Sequence, residues 1–543
     1  MPPPASARRR NSVKFRAFPS RVDVGDPIVS EPSQHELPLP GAASEPVSVP
    51  ETQAAADAAA AAEAPSPPPE SLVPLDAPAV YLPVWTLRDR FHRLLTRRAR
   101  RLLLQVGLPW TAAVVVGLVS VLYARWTADA YETFRGWIQG RDWLAFVLTP
   151  ALTVFVVYCT RRWFYGGEGG GMSQVIAAIH APGDETDGTL MKSYFGLRII
   201  VGKFVMSALG FLGGLAIGPE GPTVHMGAAI LAETRRFYPH RTKALERRLL
   251  LAGAAAGLSA AFNTPLAGVI FAIEELARDF ETRTNGTMIT AAVFAGLTTV
   301  ALAGNYLYFG QLDVKTPLGM AFVLPVILAT VLCGLLGASF NYALLHWQRW
   351  MPQRIRTFKT HRPLWWAFAC AVLIATIGVS THGQTWGSGY EQARALLHGT
   401  APLSLAFGAT KWVAMVLSNL IGVPGGMFSP SLSIGAGVAQ WVHAVFTWTP
   451  MAAVIALCMA GYLAAVTQSP LTSFVIVMEM TNGSAMVIPM MAVALASARI
   501  SGLFTPPLYH ALAEERYYHY QPPPESAPGR AKAAAEATPS ATA

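Results

Sequence analysis

Apolar runs dominate the middle of the chain, and polar residues fall between them in short blocks. Runs near the ~17–25 residues that span a bilayer recur from about Leu102 to Leu503. They are centred on 107–124, 142–158, 193–217, 287–309, 318–345, 364–381, 404–424, 450–466 and 484–503. One such run can hide in a soluble core, but this many cannot. The pattern predicts an all-α, multi-pass integral membrane protein. Residues 1–86 are rich in Pro, Ala, Ser and Glu, bury little apolar surface, and are expected to be disordered. No apolar segment near Met1 suggests a cleaved leader. A second Pro/Ala-rich tail is expected over 516–543, with no soluble domain after the membrane region at 87–515.

Sliding the chain on itself exposes an internal repeat. GGGMSQVIAAIH at 169–180 matches GSGYEQARALLH at 387–398, and GPEGPTVHMGA at 218–228 matches GMFSPSLSIGA at 426–436. AAGLSAAFNTPLAGVIFAIE at 255–274 matches AGYLAAVTQSPLTSFVIVME at 460–479. The offsets are 218, 208 and 205 residues, in the same order, giving repeats of about 102–310 and 318–510.

Charge orients the two copies. The arginine cluster at 88–101 has a counterpart near 306–316 with one cation, Lys315. Residues 235–248 hold six cations against one acid, and their counterpart near 440–453 holds none. Residues 349–362 hold five cations, and their counterpart 131–144 is close to neutral. Basic loops mark the cytoplasmic side. Equivalent loops therefore lie on opposite sides, and the repeat is inverted. Inverted repeats with Gly/Pro-interrupted apolar segments point to a transport site near mid-membrane.

Composition agrees: 52% of residues are hydrophobic and 13% charged, with mean hydropathy +0.36. The net charge of +9 sits in inter-span blocks with few aromatics, which argues against nucleic acid. Cys159, Cys333, Cys370 and Cys458 are scattered, and no metal or cofactor site is expected. HExxH and GxSxG motifs are absent, so an intramembrane enzyme is not expected.

The chemistry concentrates in the interrupted segments. Gly218, Pro219, Glu220, Gly221 and Pro222 predict a helix that starts at membrane depth, with free N–H groups and the positive dipole end turned inward. Gly426, Met427, Phe428, Ser429 and Pro430 predict a second such start, and the glycines at 169–171 a third. Helix starts bind anions without a full positive charge. Glu220 would compete with an anion for those N–H groups, and its repeat mate, Phe428, shows that the fold does not require an acid there. The alternative is a glutamate that merely stabilises its own helix dipole. Glu275 is mated with Met480, whereas neighbouring Glu274 is mated with Glu479. Glu275 is either an interfacial charge or a proton acceptor at the cytoplasmic mouth. Tyr509 reads as an aromatic-belt residue, and His180, His225 and His398 as packing residues.

These segments resemble the CLC family of chloride channels and proton-coupled chloride antiporters. GPEGP with T-V-x-x-G is similar to the family's G-[KR]-E-G-P segment, GGMFSP to G-x-F-x-P, and FNTPLAGVIFAIEEL to its dimer-interface helix. GGGMSQ stands where the family has G-S-G-I-P. The resemblance covers about 95–515. It implies an inverted-repeat bundle of tilted and broken helices, a homodimer with one pore per subunit, and exchange of chloride or another small anion for protons. A passive gated channel of the same fold is the alternative. It further implies that Glu220 is the external gating glutamate and Glu275 the internal proton glutamate. By the same resemblance, Gly170, Met427, Phe428 and Tyr509 surround the anion. Pro219 stands at the family's basic position, Gly170 at an anion-contacting serine and Ser173 at the closing proline. As in many prokaryotic members no paired regulatory domains follow, and a bacterial inner membrane with both termini cytoplasmic is expected.

Overall fold

The computed structural model describes Ala99 and residues 103–518, apart from 181–187, 278–281, 305–306, 313–318 and 402. The arginine cluster at 88–101, Arg278, Asp279, Lys315 and nearly all of both expected tails lie outside the described residues.

The described chain is helical, with a single isolated β-bridge. The first half holds α1 (Leu108–Ile138), α2 (Ala145–Trp163), α3 (Met172–His180), α4 (Gly188–Phe195), α5 (Leu197–Leu212) and α6 (Glu220–Glu233). It continues with α7 (Lys243–Phe262), α8 (Pro265–Phe271) running into a π-helical turn (Ala272–Ala277), and α9 (Thr282–Ala303). The second half opens with α10 (Val323–Leu345), the short amphipathic α11 (Gln353–His361) and α12 (Pro363–Ser380). It then holds α13 (Tyr390–His398), α14 (Phe407–Ile421), α15 (Phe428–Val445), α16 (Met451–Thr467), α17 (Pro470–Thr481), α18 (Val487–Gly502) and α19 (Leu508–Tyr518). Helix α19 runs three residues past the expected tail boundary at 515.

Six described segments are long and apolar enough to cross a membrane: those built on α1, α2, α9, α10, α12 and α18. Only 33–44% of each apolar window is buried in the chain. The rest is an outward face of Val114, Leu118, Phe155, Ile327, Leu335 and Leu373, which in water would be an aggregation hazard and in lipid is the stable arrangement. Exposed Trp143, Trp163, Trp365 and Trp448 lie at or near the ends of the apolar helices, as expected of interfacial anchors.

The remaining apolar runs form shorter helices or divide. The run at 193–217 divides at Gly196 into α4 and α5, and 404–424 becomes the 15-residue α14. In the other direction, the run at 107–124 continues as helix to Ile138. Its C-terminal half carries Arg125, Asp129, Glu132 and Arg135, which a hydropathy pattern discards although helix propensity tolerates them.

The inner layer is where the halves meet. Helices α6 and α15 are buried along almost their whole length. Each crosses its following helix on glycine. A Cβ on Gly227 of α6 would stand 3.0 Å from Gly257 Cα of α7, and one on Gly435 of α15 would stand 2.7 Å from Met459 Cα of α16. Small residues permit that approach where no hydrophobic drive exists between helices.

Candidate functional site

The two Gly/Pro turns are hydrogen-bonded to each other. Gly218 N–H donates to Gly426 O at 2.8 Å, and Gly426 N–H returns to Gly218 O at 2.6 Å. The third glycine loop joins them, with Gly425 N–H donating to Gly169 O at 3.4 Å. No side chain could stand between these backbones: a Cβ on Gly221 would lie 2.9 Å from Gly426 Cα and 3.1 Å from Gly170 Cα. The residues at 170, 218–222 and 426–430 therefore form one cluster, buried except for the partly exposed Gly170 and Pro219.

From this cluster α6 and α15 depart. Neither start has a side-chain cap of its own. Their first N–H groups are left for another acceptor, as at any uncapped helix start. One acceptor is Glu220. Its side chain is fully buried, and its carboxylate accepts from Ser429 N–H at 3.4 Å and from the Ser429 hydroxyl. A carboxylate from the start of α6 thus sits on the start of α15, where charge and dipole are complementary.

The inner wall of the cluster is aromatic. Phe428 packs against Phe262 and Phe271, each at 6.1 Å between ring centroids. Tyr509, also buried, stacks on Phe428 at 6.3 Å with 14° between planes. Met427 is the residue before α15 and is buried as well. Of the expected site residues, Gly170, Gly218, Pro219, Glu220, Gly221, Pro222, Gly426, Met427, Phe428, Pro430 and Tyr509 gather here.

Glu275 lies apart, in the π-helical turn after α8, and is likewise buried. Its carboxylate accepts from the Ser469 hydroxyl, and its backbone carbonyl meets His510 Nε2 at 2.9 Å. Next to it, Glu274 accepts from Leu471 N–H (3.0 Å), Thr472 N–H (2.6 Å) and Thr472 Oγ1 (2.7 Å), capping the start of α17. The wide winding turns successive side chains apart by less than an α-helix does. That lets two adjacent carboxylates reach the same neighbouring segment.

The voltage gated chloride channel family matches residues 151–502, most of the described chain. The chain belongs to the CLC family. The chain is 28% identical over 452 residues to the H(+)/Cl(-) exchange transporter ClcA of Salmonella paratyphi A, covering 78% of this chain and 91% of that one. It is 27% identical over 464 residues to the protein of the same name from Yersinia pestis bv. Antiqua, covering 78% and 90%. Among solved structures, a slow cyanobacterial Cl-/H+ antiporter superposes with TM-score 0.63 at 22% identity, over 76% of this chain and 98% of that one. A CLC-type fluoride/proton antiporter superposes with TM-score 0.64 at 20% identity, over 77% and 99%.

In this CLC chain, several polar groups at the site escape a reading of the sequence. Lys203 and Lys411 are fully buried. Lys203 Nζ donates to Gly169 O at 2.7 Å, in the third glycine loop. Lys411 Nζ donates to the carbonyls of Thr385 (2.9 Å), Trp386 (3.4 Å) and Gly387 (2.7 Å), in the equivalent loop of the other half. Each lysine interrupts an apolar run, and the two are 208 residues apart, the offset of the Gly/Pro motifs. That coincidence was the available signal, since an intramembrane cation needs a reason. Ser429 and Ser469 gave no such signal, because a serine in an apolar run is common.

Proposed function

We propose that this chain is a secondary active transporter that exchanges chloride, or a similar small anion, for protons. The observation that carries the reading is the Glu220 carboxylate lying on the uncapped start of α15. A carboxylate oxygen already accepts from one N–H, that of Ser429, at the helix start that would hold an anion. When Glu220 is ionised it fills that position. When it takes a proton its attraction for the N–H groups falls, and a dissolved anion takes its place. The exchange of one negative occupant for the other links anion passage to proton uptake. Backbone amides of Met427 and Phe428, the open backbone at Gly170 and the Tyr509 ring would surround the anion. Binding by amide dipoles is weak enough to release the ion again.

Glu275 supports exchange over a passive channel. A channel has no use for a buried carboxylate hydrogen-bonded away from the anion cluster, whereas an exchanger must collect protons on the inner side. The relatives named H(+)/Cl(-) exchange transporter point the same way. We also infer a homodimer in a bacterial inner membrane, with both termini cytoplasmic. Exposed Leu266, Val293, Leu471 and Leu495 on α8, α9, α17 and α18 offer an apolar face for a second copy. The basic segments at 235–248 and 349–362 favour the cytoplasmic side.

The test is uphill proton movement into proteoliposomes driven by a chloride gradient. The wild-type chain pumps protons. Glu220→Gln moves anions with no proton flux and no pH dependence. Persistent pH control in that variant would remove Glu220 from the mechanism.

A further inference from the structure

A chain of hydroxyls leaves the site on its outer side. Ser429 takes the place in the second half that Gly221 holds in the first, so the repeat itself does not call for a hydroxyl there. Its one proton is committed to Glu220 Oε1. Tyr308 Oη lies 3.5 Å from Ser429 Oγ. With the serine proton on the carboxylate, the tyrosine O–H is the donor of that pair.

Tyr308 is positioned from several directions. Its ring meets Tyr390 edge-on at 4.7 Å and Phe262 at 5.7 Å, and Tyr390 Oη donates to Tyr308 O at 2.7 Å. It also lines a cavity of about 250 Å³ together with Tyr131, Pro219, Ser388, Tyr390 and Glu391. Pro219, the residue before Glu220, is part of its lining. It has room for water many times over, since one molecule needs only ~10–15 Å³. The described lining mixes apolar residues such as Ala124, Phe211 and Ala261 with three tyrosines and two acids, Glu132 and Glu391, and it carries no cation. Such a wall gathers protons rather than anions.

We propose that Tyr308 and Ser429 form a hydroxyl relay that carries protons between water in this outer cavity and the Glu220 carboxylate. The proposal rests on the reading of Glu220 given above. In uptake, a hydronium in the cavity gives its proton to Tyr308 Oη, and the tyrosine's own proton passes to Ser429 Oγ. The serine's proton passes to Glu220 Oε1. Three O–H bonds form as three break, both hydroxyls end neutral, and rotation about their C–O bonds resets them. Release runs the same steps backwards.

Chloride-driven proton flux in proteoliposomes tests this with Tyr308→Phe, Ser429→Ala, the double variant and Glu220→Gln measured together. Each single variant is expected to slow proton flux about a hundredfold, at the low end of what a positioned proton-transfer group supplies. The double variant is expected to be no slower than either single one, because the two hydroxyls act as a unit. Ser429→Thr keeps the hydroxyl and restores flux, and solvent deuterium slows wild type more than Tyr308→Phe. Wild-type flux in both single variants while Glu220→Gln is uncoupled would overturn the relay alone. Losses that add in the double variant, with an unchanged deuterium effect, would also overturn it by pointing to packing. Proton flux surviving in Glu220→Gln would instead remove the underlying reading.

Discussion

Glu274 and Glu479 occupy equivalent positions in the two halves and do equivalent things. Glu274 caps α17 of the second half, and Glu479 accepts from Leu266 N–H (3.3 Å) and Ala267 N–H (2.7 Å), capping α8 of the first. Lys203 and Lys411 are matched in the same way, each tying down the glycine loop of its own half. Glu220 and Glu275 are not matched: their mates are Phe428 and Met480. Even their serine partners break the symmetry. Ser429 is mated with Gly221. Ser469 is mated with Thr264, a buried residue whose hydroxyl has no hydrogen-bond partner among the described residues. Residues common to both halves hold the frame, and residues present in one half only carry the proposed exchange chemistry.

The sharpest way to break that division is Glu275→Gln. The amide keeps a bond to Ser469 but cannot shuttle a proton, so chloride-driven proton flux should fall to background while anion flux persists. Ion-selective electrode and pH recordings on the same liposomes decide it, and intact proton pumping would move Glu275 into the frame. Gly221→Ala comes next. Its methyl would stand 2.9 Å from Gly426 Cα, against backbone on both sides. A destabilisation of about 3 kcal/mol is expected, at the upper end for overpacking, read as a lowered Tm in detergent. The matched caps are a smaller effect. Glu274→Ala and Glu479→Ala should each cost about 1–2 kcal/mol, and by similar amounts, as helix caps do. A large functional loss in only one of the two would break the symmetry argument. The smallest effect is Thr264→Val, which buries no new polar group and removes an unsatisfied one. Stability should rise by about 1 kcal/mol and flux should stay at the wild-type level, whereas its mate variant Ser469→Ala should slow proton flux.

Much of this was legible in the chain. Glycine and proline at matching places announce broken helices, and the 208-residue offset pairs the turns at 218 and 426. The lone acids facing Phe428 and Met480 stood out for the same reason. The break at Gly196 was not legible, because an apolar window averages across a single glycine. The continuation of α1 to Ile138 was hidden for the opposite reason, since a water-exposed helical end has no apolar signature. The lysine, serine and tyrosine contacts depend on loops far apart in sequence folding onto one point. Tyr308 and Ser429 are 121 residues apart, and no local pattern ties them together.

The bridge between Gly218 and Gly426 also sets a timetable for biosynthesis. The ribosome delivers the second glycine 208 residues after the first, roughly 10–40 s later at ~5–20 residues per second. Throughout that interval the nascent first half holds a carboxylate whose serine has not been made. An ionised side chain stranded at that depth is expensive. Glu220 therefore waits protonated or facing water, and the pocket comes into being only when the last third of the protein arrives to close it.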